Sequence, residues 1–433
     1  MNTPKIRVGV IGAGNVGSAL VQLLNDESRH IALIDAATAS LEVVGVAVRD
    51  LEKSRPGIDA ALLPTAALAL AGREDLDILV ELVGGIEPAR TYIEAALRRG
   101  VSVVTANKTL MAECGTELSQ LAHQNGADLC YEAAVGGGIP ILRALRTSLA
   151  GERIERVMGI VNGTTNFILS KMTSEGSDYA VALAEAQALG YAEADPTADV
   201  EAFDAAAKVQ ILSSLAFGTE LCGEEISREG ITGVRSIDVD FASRAGYVIK
   251  LVGVAERVGE HGISRHTHPA MIPAEHPLAS VHGAMNAVFV EGSTSGPLMW
   301  LGQGAGGEPT ATAVLGDVLH VARNRVSGRH DVPFSVDDRL ESVPAGEIAS
   351  VFYISLDVMD EPGVLASVAS IFGQHGVSIQ SMEQSGFGDE ARLSFVTHSA
   401  VTNNVRATID ELAKLESVDS GGACFRVIDG GIA

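Results

Sequence analysis

Asp204 and Lys208 lie four residues apart at the end of the run Gly190-Tyr-Ala-Glu193-Ala-Asp195-Pro-Thr-Ala-Asp199-Val-Glu-Ala-Phe-Asp204-Ala-Ala-Ala-Lys208. On a helix that spacing puts a carboxylate and an ammonium on one face. Most such pairs are solvated surface pairs. Here Ala205, Ala206, Ala207, Val209, Ile211 and Leu212 surround the same helix, so much of it must be buried, and a buried lysine is costly unless paired or functional. A lysine beside a carboxylate in a closed site can protonate the oxygen of a carbonyl that receives hydride. Glu193 and Asp199 are then available to hold a substrate ammonium group, and the chemistry suits a small amino-acid aldehyde or alcohol.

A hydride needs a carrier, and the N-terminus supplies a place for one. Gly12, Ala13, Gly14, Asn15, Val16 and Gly17 form a Gly-x-Gly-x-x-Gly turn between an apolar strand pattern and a helix. The first glycine permits the turn, the second lets backbone approach a pyrophosphate, and the third lets strand and helix pack closely. The second strand runs to Val48, and Arg49 and Lys53 just beyond it could clamp a 2′-phosphate, which favours NADP; Asp50 beside them keeps NAD open. The fourth strand ends at Thr105-Ala-Asn-Lys108, on the sheet edge where ligands bind in open α/β folds, so Thr105 and Lys108 are candidates to reach cofactor and substrate. The fifth ends at Glu132 and runs through Val135, Gly136, Gly137, Gly138 and Ile139. That loop suits an anion at a helix start, a cation held by carbonyls and Glu132, or a plain turn.

These residues need elements to position them. Short apolar runs at Ile6 to Ile11, Val43 to Val48, Ile78 to Val83, Val101 to Thr105 and Leu129 to Glu132 alternate with helical patterns, with an extra helix over His30 to Ser40. Such alternation predicts an α/β fold with a Rossmann-type doubly wound parallel sheet over residues 1–132. Residues 133–326 read as an α+β catalytic and dimerisation domain, with a helix from Asp199 to Phe217 and strands at Val248 to Ala255, Ala287 to Glu291 and Pro297 to Leu301. A polar stretch with Gly328, Pro333 and Pro344 marks a linker over 327–347, and residues 348–433 follow a small βαββαβ pattern.

The 433 residues carry a net charge of −24, which repels nucleic acid and anionic lipid. The apolar stretch Ala60 to Ala71 is broken by Pro64 and too short to span a bilayer, and the N-terminus lacks a signal-peptide pattern, so the expectation is a cytoplasmic protein. Cys114, Cys130, Cys222 and Cys424 are scattered and read as reduced thiols. His266 and His268 alternate along a strand, with His276 and His282 beyond, and no carboxylate or cysteine completes a metal set; they read as surface or core histidines.

Together these motifs resemble the homoserine dehydrogenase family. Its signature, a glycine before Asp-Pro-x-x-Asp and then Asp-x-x-x-Lys, is matched by Gly190, Asp195, Pro196, Asp199, Asp204 and Lys208. Thr105 to Lys108, Asn162 to Asn166 and Gly302 to Thr310 are similar to further family motifs. The resemblance implies Lys208 as proton donor, Glu193 and Asp204 in contact with homoserine, Lys108 near the reacting centre, and Gly190 and Gly304 among the cofactor contacts. It implies a sodium ion on Glu132 and the carbonyls of Val135, Gly137 and Ile139, and reversible reduction of aspartate 4-semialdehyde by NADPH or NADH on the route to threonine and methionine. It also implies a homodimer or homotetramer. Asp360-Glu-Pro-Gly363 before a helix is similar to an ACT domain, with threonine as the implied effector; a purely oligomerising role is the alternative. Where the family has glycine, this chain has Ala202, expected on a helix where alanine is easily accommodated. A thioester route through an activated cysteine, and a non-catalytic amino-acid sensor that dispenses with Lys208, are the competing readings.

Overall fold

A computed structural model describes residues 3–63, 66–220, 226–332, 336–387, 390–419 and 422–428. Cys222 and Pro333 lie outside the described residues. The chain divides into two compact units, residues 1–154 with 210–225 and 300–338, and residues 155–209 with 226–299 and 339–433.

The first unit holds five parallel strands, β1 (Lys5–Ile11), β2 (Ser40–Ala47), β3 (Ile78–Glu81), β4 (Ser102–Thr105) and β5 (Leu129–Cys130), in the order β2-β1-β3-β4-β5. β3 and β4 are buried at every residue, as continuous apolar runs in a sheet covered on both faces require. The order reverses direction between β1 and β3, and that switch point is where doubly wound sheets open a ligand crevice. The extra helix forms over His30–Ala37. The fifth strand is shorter than its apolar run: it stops at Cys130, and Glu132–Ala134 make a 3-10 turn.

One helix of this unit arrives from far along the chain. Gly307–Ser327, counted with the catalytic domain in the reading from pattern, buries Ala311, Val314, Leu315, Val318, Val321 and Ala322 in one core with Val8, Val10 and Val104. Their three- and four-residue spacing defines a single apolar face. Arg325 fastens its end through the Gly100 carbonyl and Asp77, both at 3.1 Å.

The second sheet takes in β6 (Ile154–Ile160), β7 (Ser227–Arg228), β8 (Tyr247–Val258), β9 (Gly262–Pro273), β10 (Met285–Gly292), β11 (Gly296–Gln303), β12 (Glu341–Ser342), β13 (Ala349–Met359), β14 (Ile379–Phe387), β15 (Glu390–Thr397), β16 (Ala400–Val401), β17 (Val418–Asp419) and β18 (Cys424–Val427). Its main path runs β11-β10-β6-β8-β9-β18-β13-β15-β14. The last four, with helices Val364–Gln374 and Thr402–Leu412, form the βαββαβ unit expected from the pattern. β18 pairs β13 antiparallel and β9 parallel, so this small sheet continues the central one. A buried cluster reinforces the join: Asp238, on the helix Ser236–Arg244, accepts from Arg392 Nη2 at 2.7 Å, Tyr353 Oη at 3.2 Å and Ser355 Oγ at 3.1 Å.

The helix expected from Asp199 to Phe217 is instead two helices, Thr197–Val200 and Phe203–Phe217. Ala202 sits between them at φ 64°, fully buried, outside either helix. The left-handed conformation favours glycine, which explains why a glycine suits this position and corrects the expectation that alanine is accommodated on a helix.

Candidate functional site

In the first unit the three glycines of the N-terminal loop have different surroundings. A Cβ on Gly12, at φ 97°, would lie 2.7 Å from the Leu82 carbonyl oxygen, and one on Gly17 would lie 2.0 Å from the Gly12 oxygen. At Gly14, by contrast, a Cβ would meet nothing within 4 Å. The first and third glycines are therefore required by the protein's own packing, while the second faces open space in front of the helix Asn15–Leu24. A pyrophosphate approaching helix-start amides needs that space, so these residues fit a dinucleotide.

Arg49 and Lys53 are exposed on the loop after β2. The residue that orders this loop is one the motif reading did not single out: Arg55 donates to the carbonyls of Ala13 (3.2 Å), Asp50 (2.7 Å) and Lys53 (2.8 Å). It ties the loop to the glycine turn through backbone acceptors, for which no sequence spacing gives a signal.

At the other side of the switch point the fully buried Glu81 accepts from Thr105 Oγ1 at 2.6 Å and from the amides of Val83 (2.8 Å) and Gly84 (3.1 Å). Thr105 Oγ1 in turn accepts the Asn107 amide, and Asn107 Nδ2 donates to the Gly85 carbonyl at 2.6 Å. Asn107 also caps the helix Lys108–Gln124, which leaves Lys108 half-buried at that helix's first position. Glu81 is a further residue missed by sequence reasoning: an acid at the end of an apolar strand was legible, its role in shaping the crevice was not.

The Glu132 carboxylate accepts the amides of Leu142 and Arg143, each at 2.8 Å, while its own amide donates to Asp317. Burial, followed by the nearby charge of Asp317, raises its carboxyl to about 7. Gly136 and Gly137 have φ 69° and 55°, bending the chain back so that the Ile139 amide meets the Gly136 carbonyl. A Cβ on Gly137 would lie 2.6 Å from Gly304, and Gly138 donates to the Gln303 carbonyl, so the 302–306 segment docks on this loop. Glu132, whose two carboxylate oxygens already accept the Leu142 and Arg143 amides, and the carbonyls of Val135, Gly137 and Ile139 offer only oxygen donors, the type hard cations take.

In the second unit Lys208 is 8% exposed. Its Nζ donates to Asp204 Oδ2 at 2.7 Å and to the Val161 carbonyl at 2.6 Å. Asn162 caps the helix Gly163–Glu175 by accepting the Thr165 amide, and its Nδ2 bridges Asp199 (2.6 Å) and Asp204 (2.9 Å). One asparagine thus gathers both carboxylates beside the lysine. The Gly190 turn, at φ 78°, is held by Thr164 Oγ1 on the Tyr191 carbonyl at 2.6 Å and by the Phe167 and Tyr191 rings. Glu193 is exposed on that loop.

Nearby, Lys250 is 2% exposed and donates to Asn166 Oδ1 (3.0 Å), Ser170 Oγ (3.3 Å) and the Val281 carbonyl (2.6 Å). Burial lowers it to about 8. It was not legible as special within the apolar run of β8. Among the described residues the thiols do not suit nucleophilic chemistry: burial raises Cys114 and Cys130, and pushes Cys424 up to about 12.

Comparison with known proteins places this architecture. Residues 12–132 match the homoserine dehydrogenase NAD-binding domain, 140–319 the homoserine dehydrogenase catalytic domain and 352–417 the ACT domain. The class is thereby defined: an NAD(P)-dependent oxidoreductase acting on a CH–OH group. The chain is 46% identical to the homoserine dehydrogenase of Corynebacterium glutamicum over 95% of its own length and 93% of the relative's. The crystal structure of a homoserine dehydrogenase from Thiobacillus denitrificans superposes with a TM-score of 0.93 at 39% identity, covering 98% of this chain and 99% of that one. A hyperthermophilic archaeal homoserine dehydrogenase mutant, solved in complex with NADPH, matches with a TM-score of 0.62 at 29% identity, covering 73% of this chain and 97% of that one. The chain belongs to the homoserine dehydrogenase family.

Proposed function

We propose that the protein interconverts L-aspartate 4-semialdehyde and L-homoserine, on the route to threonine and methionine, with Lys208 as the proton donor to the carbonyl oxygen. The observation that carries this reading is the buried Lys208, held by Asp204 and the Val161 carbonyl in the group that Asn162 assembles. NADPH or NADH, when bound, supplies the hydride. Lys208 gives its proton to the oxygen as charge develops there and takes one from the hydroxyl in the reverse direction. Asp204 orients the lysine and contacts substrate, and Asp199 and Glu193 hold the substrate ammonium. Residues 12–17, Thr105, Lys108, Gly190 and Gly304 are assigned to the cofactor on the family resemblance, and Arg49 and Lys53 to a 2′-phosphate.

The oxygens of Glu132, Val135, Gly137 and Ile139 would hold a sodium ion that stiffens their loop. The reading extends to a cytoplasmic homodimer or homotetramer joined through the central domain, with nucleotide, catalytic, linker and regulatory segments at 1–132, 133–326, 327–347 and 348–433. Threonine would inhibit by placing its carboxylate near the amides after Gly363, which has φ 97° and caps the helix Val364–Gln374. The test is nicotinamide reduction by L-homoserine, with NADP and NAD in parallel, on wild type and Lys208→Ala. Reduction that requires Lys208 supports the reading; none by the folded wild type with either cofactor overturns it in favour of a sensor.

A further inference from the structure

His266 and His268 share one face of β9, their rings stacked with centroids 4.9 Å apart and only 4% and 5% exposed. His266 Nε2 lies 3.3 Å from Glu256 Oε1, and His268 Nδ1 lies 3.0 Å from the Pro269 carbonyl. A carboxylate and a carbonyl only accept, so each bonded nitrogen carries the proton. The remaining nitrogens, His266 Nδ1 and His268 Nε2, are lone-pair acceptors, and both are buried without a hydrogen-bond partner. Desolvation lowers both imidazoles, His268 well below the usual histidine range, which keeps them neutral acceptors. Two orphaned acceptors side by side are costly unless something donates to them.

Both rings line a cavity of about 240 Å³. It opens on the edge of β9, which β7 covers at His266 and Thr267 and β18 covers at Ala270 and Met271. Across the cavity stands one face of the helix Thr402–Leu412, whose Val405 and Ile409 join Phe352 in an apolar wall. Arg228, Arg406 and Arg426 also line it, against the carboxylate of Glu229, with Glu256 bonded to His266 beside it; Arg426 already donates to Ser350 Oγ and the Ala345 carbonyl. That charge balance opposes a metal cation even beside two imidazole nitrogens, and it favours an anion.

We infer that this cavity binds a small carboxylic acid bearing an amino or hydroxyl donor beside the carboxylate and a short aliphatic side chain. The carboxylate turns to the guanidiniums, with the exposed Arg406 at the mouth, the donor turns to the two imidazoles, and the aliphatic part lies on Val405, Ile409 and Phe352. Its volume, below the range of about 300–1,000 Å³ for drug-sized pockets, suits a ligand of amino-acid size. None of its lining residues belongs to the Lys208 group or to the Gly363 turn.

Calorimetric titration of the full chain with L-valine, L-threonine, 2-hydroxyisovalerate, isobutyrate and isobutylamine, each to about 20 mM, tests this. The expected result is binding of an amino or hydroxy acid, with L-valine against 2-hydroxyisovalerate telling which donor is preferred, and binding at least about tenfold weaker for isobutyrate and isobutylamine. Arg406→Gln should weaken binding about tenfold and Ile409→Trp should abolish it, with homoserine turnover unchanged in both. Gly363→Val should leave it intact. No binding of any acid overturns the inference. So does binding that survives both cavity variants, or that Gly363→Val removes, since either moves the site elsewhere. Isobutyrate binding as tightly as L-valine removes the part assigned to the histidines.

Discussion

Gly14→Ala separates folding from cofactor binding. Gly14 has φ −76° and ψ −155°, an extended conformation open to any residue, and its added Cβ would meet nothing within 4 Å. Thermal or urea unfolding should therefore shift by no more than about 0.5 kcal/mol. The same methyl group would stand where a pyrophosphate must approach the amides at the start of Asn15–Leu24. Displacing the phosphate from one charge-assisted hydrogen bond costs about 1.5–3 kcal/mol, which is roughly a 10- to 150-fold rise in Kd. Nucleotide fluorescence titration with NADPH and NADH reads this directly. Gly17→Ala is the contrast, because its Cβ would lie 2.0 Å from the Gly12 oxygen. It should cost stability, by about 3 kcal/mol or more. A Gly14→Ala protein that unfolds easily, or that binds nucleotide as the wild type does, would refute the assignment of that open space to the cofactor.

Ala202→Gly should stabilise the protein by about 0.5–1 kcal/mol, because relief of the left-handed strain exceeds the entropy that glycine adds to the unfolded chain; a lower melting temperature would contradict this. Asp238→Ala should cost about 3–5 kcal/mol in urea unfolding, since it strands Arg392 in a buried site and removes acceptors from Tyr353 and Ser355. Lys250 at about 8, below the ordinary lysine value of 10.5, binds fewer protons folded than unfolded between those limits, so its contribution to stability rises with pH across that window and is flat below it. The difference in unfolding free energy between wild type and Lys250→Met should change by up to about 3 kcal/mol from pH 8 to 10.5, and a constant difference would show that the lysine is not depressed.

The parts of the fold legible in the sequence are those carried by local pattern. The glycine turn could be read because its spacing falls between a strand and a helix, and the buried Lys208 because the alanines and aliphatic residues around it left no solvated face. What escaped depends on contacts between distant residues or on backbone conformation. The helix Gly307–Ser327 shows an apolar face, yet nothing local says that it closes on β1 and β4. The break at Ala202 is a φ angle, which residue type hides when alanine stands where glycine fits best. Arg55 and Glu81 act through backbone groups and a buried threonine, and Asn162 acts as both helix cap and bridge; none of these roles has a periodicity. The alternation of His266 and His268 was visible, but their neutral tautomers and the cavity beside them follow only from the pairing of β9 with its neighbours.

The most direct test of the central claim is single-turnover hydride transfer from NADPH to L-aspartate 4-semialdehyde by Lys208→Met, with cofactor affinity measured on the same protein. Loss of a positioned general acid predicts a rate lower by about 10²–10⁴ with nucleotide Kd unchanged. A rate within about threefold of wild type would show that Lys208 does not supply the proton.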